Sequence, residues 1–192
     1  MERMTLFSRA VEFAEGIHSR EKKNGKPYLY HPMAVASLIL KYGGDSNQMV
    51  AGLLHDTIFR EGVTKKKISE NFGEKIADLT FTFLDPPLPN NADWRMTKQA
   101  YLDKVKALSE EKLLLVACEE LHEVDELLHS LQYDGVTTWD QYPVHGMEVA
   151  WYFKQLLLIF YDQLKSKPAL VAEFAGRVRR LSDIVFEAKT FT

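Results

Sequence analysis

The chain has 192 residues, 46% of them hydrophobic and 27% charged, and a formal net charge of −3. That length suits one domain with a sizeable core, and the balance of charge gives no general attraction for nucleic acid or anionic membranes. The one cysteine, Cys118, excludes an internal disulfide and suits a reducing, cytoplasmic setting. No apolar run reaches the ~18 residues of a membrane span, and Met1-Glu2-Arg3-Met4 opens without a signal-peptide core.

Helical periodicity dominates from the start. Leu6, Ala10, Phe13, Ala14 and Ile17 form an i, i+3, i+4 stripe, so residues 3–19 read as an amphipathic helix. Residues 20–30 are basic and turn-like, broken by Asn24-Gly25 and Pro27. His31-Pro32 places proline in a first helical turn, where its missing N–H costs nothing. That helix runs to about Lys41 and stops at Gly43-Gly44. Asp45 or Ser46 caps the next helix, which carries His55-Asp56. Gly62 and Thr64 mark a stop and a start, Lys65–Phe72 forms a short helix ended by Gly73, and a further helix reaches about Phe83.

The proline-rich stretch from Asp85 to Asn91 is the clearest loop. Helices follow near 93–107 and 110–131, then a long connection from Asp134 to Gly146, then helices near 147–166 and 168–188. Nothing alternates as a strand and no fixed period repeats. The expectation is an all-α fold, a single domain over residues 1–192 with eight or nine helices. Lys65-Lys66-Lys67 is too small for a nucleic-acid footprint. Cys118, within the apolar run Leu113–Cys118, reads as core filler. Trp151, Tyr152, Phe153, Phe160 and Tyr161 read as helix-packing residues.

His55-Asp56 carries the chemistry. It ends the apolar run Met49-Val50-Ala51-Gly52-Leu53-Leu54, where an imidazole and a carboxylate are costly unless something pairs with them. One solution is a mutual hydrogen bond. The other is a metal: His31, 24 residues upstream, adds a second imidazole, and such a ligand set suits a divalent cation such as Mn, Fe or Zn.

These residues and their surroundings resemble the HD-domain metal-dependent phosphohydrolases. The resemblance is nearest to the single-domain and RelA/SpoT-type guanosine polyphosphate hydrolases. It rests on Asn24-Gly25-Lys26-Pro27-Tyr28-Leu29-Tyr30-His31-Pro32, on Gly52-Leu53-Leu54-His55-Asp56-Thr57, on Gly62-Val63-Thr64 with Phe72-Gly73-Glu74, and on Glu119-Glu120-Leu121-His122. Trp94-Arg95 and Trp151-Tyr152-Phe153 extend it. The resemblance implies one divalent cation, usually manganese, held by His31, His55, Asp56 and, at the position of a later aspartate, Glu119. It implies a nucleotide bound near Lys22, Lys23, Asn24 and Tyr28.

Three positions depart from that pattern. Pyrophosphate-hydrolysing members carry Glu-Asp after the His-Asp pair, to orient and activate water; here the residues are Phe59-Arg60. A phenyl ring takes no proton and an arginine stays protonated. Glu123 stands where an asparagine is expected. Arg60 suits a phosphate contact instead, and Glu61 or Glu120 would take over the work of the missing pair beside Asp56.

The leading expectation is therefore a phosphohydrolase acting on a nucleotide or a related phosphate ester, with a small-molecule partner, no nucleic acid or membrane, and a homodimer as a possible assembly. The competing expectation is a catalytically degenerate relative that senses a nucleotide or binds a partner. A nucleotidase acting on 5′-monophosphates belongs to the same chemistry as the first.

Overall fold

The computed structural model describes residues 5–19, 22–23, 26–84, 86–87 and 92–189. Among them are nine α-helices, three 3-10 segments and one minimal antiparallel hairpin. The chain divides into two compact units, Met1–Leu84 and Asp85–Thr192. No helix among the described residues is long and apolar enough to cross a membrane.

In the first unit α1 spans Leu6–His18, α2 Tyr30–Lys41, α3 Ser46–Leu54, α4 Lys65–Phe72 and α5 Glu74–Thr80. Helix α3 is the centre of this unit, packed against α2, α5 and α1. Every residue from Gln48 to Leu54 is buried, so the apolar run is a helix covered on all sides. Its start is a capping box: Asp45 accepts from the Gln48 N–H while the Gln48 side chain accepts from the Asp45 N–H, each at 2.8 Å. Between α4 and α5, Gly73 serves as the last cap of one helix and the first of the next at φ 93°, a conformation that side chains with a Cβ resist. Lys65, Lys66 and Lys67 lie on an exposed face of α4, with Lys65 paired to Asp78 at 3.1 Å and Lys66 to Glu70 at 3.8 Å.

Three local features differ from the sequence expectation. The turn-like basic segment contains a hairpin, β1 (Lys22–Lys23) and β2 (Lys26–Pro27), with Lys22 opposite Pro27 and Lys23 opposite Lys26. Asn-Gly between two strands is the commonest two-residue hairpin connection. The helix expected to carry His55-Asp56 ends at Leu54, and residues His55–Phe59 form a 3-10 turn. The cause is local competition for carbonyls. The His55 ring takes the Gly52 carbonyl and the Thr57 hydroxyl takes that of Leu54 at 2.6 Å, so the last turn tightens. The helix expected to reach Phe83 likewise ends at Thr80 and continues as a 3-10 turn, Phe81–Phe83.

In the second unit α6 spans Trp94–Lys106, α7 Glu110–Tyr133, α8 Gly146–Gln163 and α9 Pro168–Lys189. The connection between α7 and α8 holds a 3-10 segment, Gly135–Gln141. Helix α9 packs on α8 and α7, and α6 packs on α8. Phe174 of α9 lies against Phe160 at 5.1 Å and Phe153 at 6.3 Å between ring centroids. Cys118 is buried with Leu113–Ala117, as core filler should be. Of the aromatics read as packing residues, Tyr152, Phe153 and Phe160 are buried, whereas Tyr161 is exposed. It falls on the outer face of a helix that is apolar almost all round.

Candidate metal centre

Two chain segments of the first unit converge on one point. Helix α2 supplies His31 from its first turn, and the 3-10 turn after α3 supplies His55 and Asp56. Both histidines are only 2% exposed, and the Asp56 side chain 14%. Asp56 lies between the rings: His55 Nε2 is 3.3 Å from Oδ1 and His31 Nε2 is 3.6 Å from Oδ2. One donor atom from each of the three lies within 4.8 Å of the others.

Hydrogen bonding fixes which nitrogen of His55 faces inward. Nδ1 sits 2.7 Å from the Gly52 carbonyl, which can only accept, so Nδ1 carries the proton and Nε2 presents its lone pair. Nε2 and Asp56 Oδ2 are both buried and have no hydrogen-bond partner. Leaving such atoms unsatisfied costs ~1–3 kcal/mol each. An imidazole lone pair and a carboxylate turned toward each other are electrostatically wrong for one another and right for a cation between them. The donor set therefore fits a divalent metal ion.

Gly52 makes this geometry possible. A Cβ at this position would lie 2.3 Å from Cδ1 of the buried Ile39, so any other residue forces that side chain to shift where α3 meets α2. The His55 ring is also packed against Phe83, at 4.8 Å between centroids, and against His31 at 5.2 Å.

Tyr28 and Arg60 border the same cluster. The Tyr28 phenol is pushed well above its ordinary value, first by burial and then by the nearby Asp56 carboxylate; the Arg60 guanidinium opposes the shift in part. The Arg60 guanidinium lies 5.4 Å from the Tyr28 ring centroid. His18 stacks on that ring at 4.7 Å with an interplanar angle of 23°. Sequence reading missed His18, although Ala10, Ala14 and His18 share one buried face at i, i+4, i+8. Reading the stripe through Ile17 hid it. Phe83 was missed as well, since nothing local distinguishes it from any other core aromatic.

The remaining candidates belong to other segments of the chain. Phe59 is 48% exposed and Glu61 is exposed just beyond Arg60. Lys22 and Lys23 form β1, and Asn24 lies outside the described residues. Glu119 and Glu120 belong to α7 of the second unit. There they line a cavity of about 210 Å³ with Trp94, Lys98, Glu123 and Tyr142. Glu120 is buried and accepts the Tyr152 hydroxyl. The Tyr142 phenol is pushed up to about 12, mainly by burial and also by Glu123.

Known proteins match part of this chain. A probable GTP pyrophosphokinase of Mycobacterium leprae is 38% identical over 77 residues, covering 40% of this chain and 10% of that protein. A guanosine-3′,5′-bis(diphosphate) 3′-pyrophosphohydrolase of Aquifex aeolicus is 43% identical over 72 residues, covering 37% and 10%. The chain thus matches about a tenth of the length of these curated relatives.

Two solved structures share the fold. One, from Listeria monocytogenes EGD-e, has a TM-score of 0.69 at 23% identity and covers 79% of this chain and 97% of its own. The other is a metazoan ortholog of SpoT, described as hydrolysing ppGpp, with a TM-score of 0.72 at 15% identity, covering 94% and 97%. Residues 10–127, which hold every member of the His31-His55-Asp56 cluster, match the family model of the HD domain, and the chain belongs to that family.

Proposed function

We propose that this protein is a divalent-metal-dependent phosphohydrolase that acts on a nucleotide phosphate or pyrophosphate ester of the guanosine polyphosphate class, with manganese as its cation. The observation that carries the reading is the buried convergence of His31, His55 and Asp56 around two unsatisfied acceptor atoms. Membership of the HD family supports it. So do the names of the relatives, among them the pyrophosphohydrolase of Aquifex aeolicus. Residues 1–192 are treated as one working domain, a reading that the family match supports over residues 10–127.

A bound divalent cation would supply Lewis acidity, polarising a phosphoryl oxygen and making water a competent nucleophile near neutral pH. The chain itself does the positioning. Gly52 holds the His55 ring by its Nδ1–H, and Asp56 bridges toward both imidazoles. Arg60 brings a fixed positive charge to the edge of the cluster, suited to a phosphate. Phe59 offers no proton acceptor, so Glu61, the exposed carboxylate of the same segment, takes the proton from water.

Phe59 also favours a second reading, in which the protein binds the nucleotide without turnover and acts as a sensor. One experiment separates them. Purified protein is incubated with guanosine tetraphosphate and Mn²⁺, and pyrophosphate release is measured. Release that disappears in His55→Ala and on chelation is the expected result. Nucleotide binding without release favours the sensor, absence of Mn²⁺ binding by the wild type refutes the hydrolase, and absence of nucleotide binding as well refutes both.

A further inference from the structure

His55 and Asp56 are neighbours in sequence, and both reach the cluster from a 3-10 turn five residues long. Asp56 Oδ2 is buried without a hydrogen-bond partner, and the His55 Nε2 that faces Oδ1 presents a lone pair. The imidazoles therefore do not fix the carboxylate in the absence of a cation. Its placement between them depends on the backbone that carries it.

Hydrogen bonds hold that backbone on both sides of Asp56. In the residue before it, the His55 ring donates Nδ1–H to the Gly52 carbonyl at 2.7 Å. In the residue after it, the Thr57 hydroxyl donates to the Leu54 carbonyl at 2.6 Å. Each bond reaches three residues back into the last turn of α3. Thr57 also accepts the Arg60 N–H at its own carbonyl, 3.0 Å away, so the same residue closes the turn on its far side.

We infer that Thr57 is a positioning residue for the proposed metal ligand Asp56. Its hydroxyl, anchored on the Leu54 carbonyl, sets the backbone from which the carboxylate faces both imidazoles. A β-branched side chain has few rotamers, and a hydroxyl bonded to a carbonyl of the preceding turn selects among them. Thr57 is 0% exposed, so water does not replace the bond when the donor is removed. Local bonds of this kind compete with the regular helical pattern. Here the competition ends α3 at Leu54 and starts the tighter turn at His55. Thr57 lies outside the donor set, so changing it alters the placement of a ligand without removing one.

The inference rests on the proposed metal-dependent function, and its test keeps the two apart. Mn²⁺ binding by isothermal calorimetry and urea unfolding are measured in the wild type, Thr57→Val, Thr57→Ser and Thr57→Ala. Valine keeps the branched shape without the donor, and serine keeps the donor without the methyl. Thr57→Val should bind Mn²⁺ about tenfold more weakly, the lower end of the ~10–100-fold effect of groups that stand behind metal ligands. Thr57→Ser should bind Mn²⁺ as the wild type does, while the loss of a buried methyl lowers its unfolding midpoint. Affinity thus follows the hydroxyl and stability follows the methyl. A merely structural role gives no such crossing, because the folded fraction of each variant would then bind Mn²⁺ equally. Wild-type affinity in Thr57→Val overturns the inference and leaves the function intact, as does equal weakening in Thr57→Val and Thr57→Ser. Should Thr57→Val fail to fold, Thr57→Ser and Thr57→Ala differ only by the hydroxyl oxygen, and equal Mn²⁺ affinities in that pair overturn the inference. Failure of the wild type to bind Mn²⁺ overturns the metal-dependent function and the inference together.

Discussion

At the scale of the residue, each group of the cluster has a separate task. His55 is fixed by a backbone carbonyl, His31 by its place in the first turn of α2, and Asp56 lies between them. In the proposed reaction the proton-accepting role falls to Glu61, because Phe59 is inert and Glu120, bonded by the Tyr152 hydroxyl, is already engaged. Glu61→Gln should therefore lower pyrophosphate release by about 10²–10⁴-fold, the usual effect of losing a general base. Mn²⁺ affinity, read by calorimetry, should not change, since Glu61 is exposed and outside the donor set. Equal turnover in wild type and variant would remove Glu61 from the reaction.

At the scale of the element, α3 delivers the site and two local devices hold it. The first is the close approach at Gly52. Gly52→Ala sets a methyl group 2.3 Å from Ile39 Cδ1. Overpacking of this kind costs ~1–3 kcal/mol, which chemical denaturation will show as a lower midpoint. The Gly52 carbonyl that holds the His55 ring is retained in this variant, so Mn²⁺ affinity should fall only if the repacking moves that carbonyl. The second device is the Asp45 cap. Its carboxyl is held below the usual carboxylate value, chiefly by the Gln48 N–H and also by Lys75. A carboxyl depressed in the folded state stabilises above its unfolded value, about pH 3.9 for an aspartate, and loses that contribution as pH falls through the folded value. Asp45→Ala should cost ~0.5–2 kcal/mol at neutral pH, and the gap to wild type should narrow on acidification below pH 4. Asp45→Asn keeps a capping oxygen and should retain most of the stability without this pH dependence. Unfolding titrations at several pH values decide the matter.

At the scale of the whole molecule, a ligand that binds only the folded state stabilises it by mass action. Mn²⁺ at about a hundred times its dissociation constant should add ~2.7 kcal/mol. The melting transition of the first unit should rise by several degrees, reversibly with a chelator, and stay put in His55→Ala. Much of this molecule was legible in the sequence. Capping residues, glycine stops and apolar periodicity located all nine described α-helices, because those signals act within a few residues of where they stand. Membership of the HD family and the His31-His55-Asp56 set were legible for the same reason, as fixed residues at fixed spacing. What the sequence could not contain is the three-dimensional neighbourhood. The 3-10 turn at His55 arises from side chains competing for carbonyls, and the stack of His18 on Tyr28 joins residues from different elements. The closeness of Tyr28 to Asp56 is of the same kind. Such contacts depend on how helices pack, and packing is set by the sum of many burial terms rather than by any one residue. Local chemistry chose the elements and the candidate ligands; only tertiary packing decided which groups surround them.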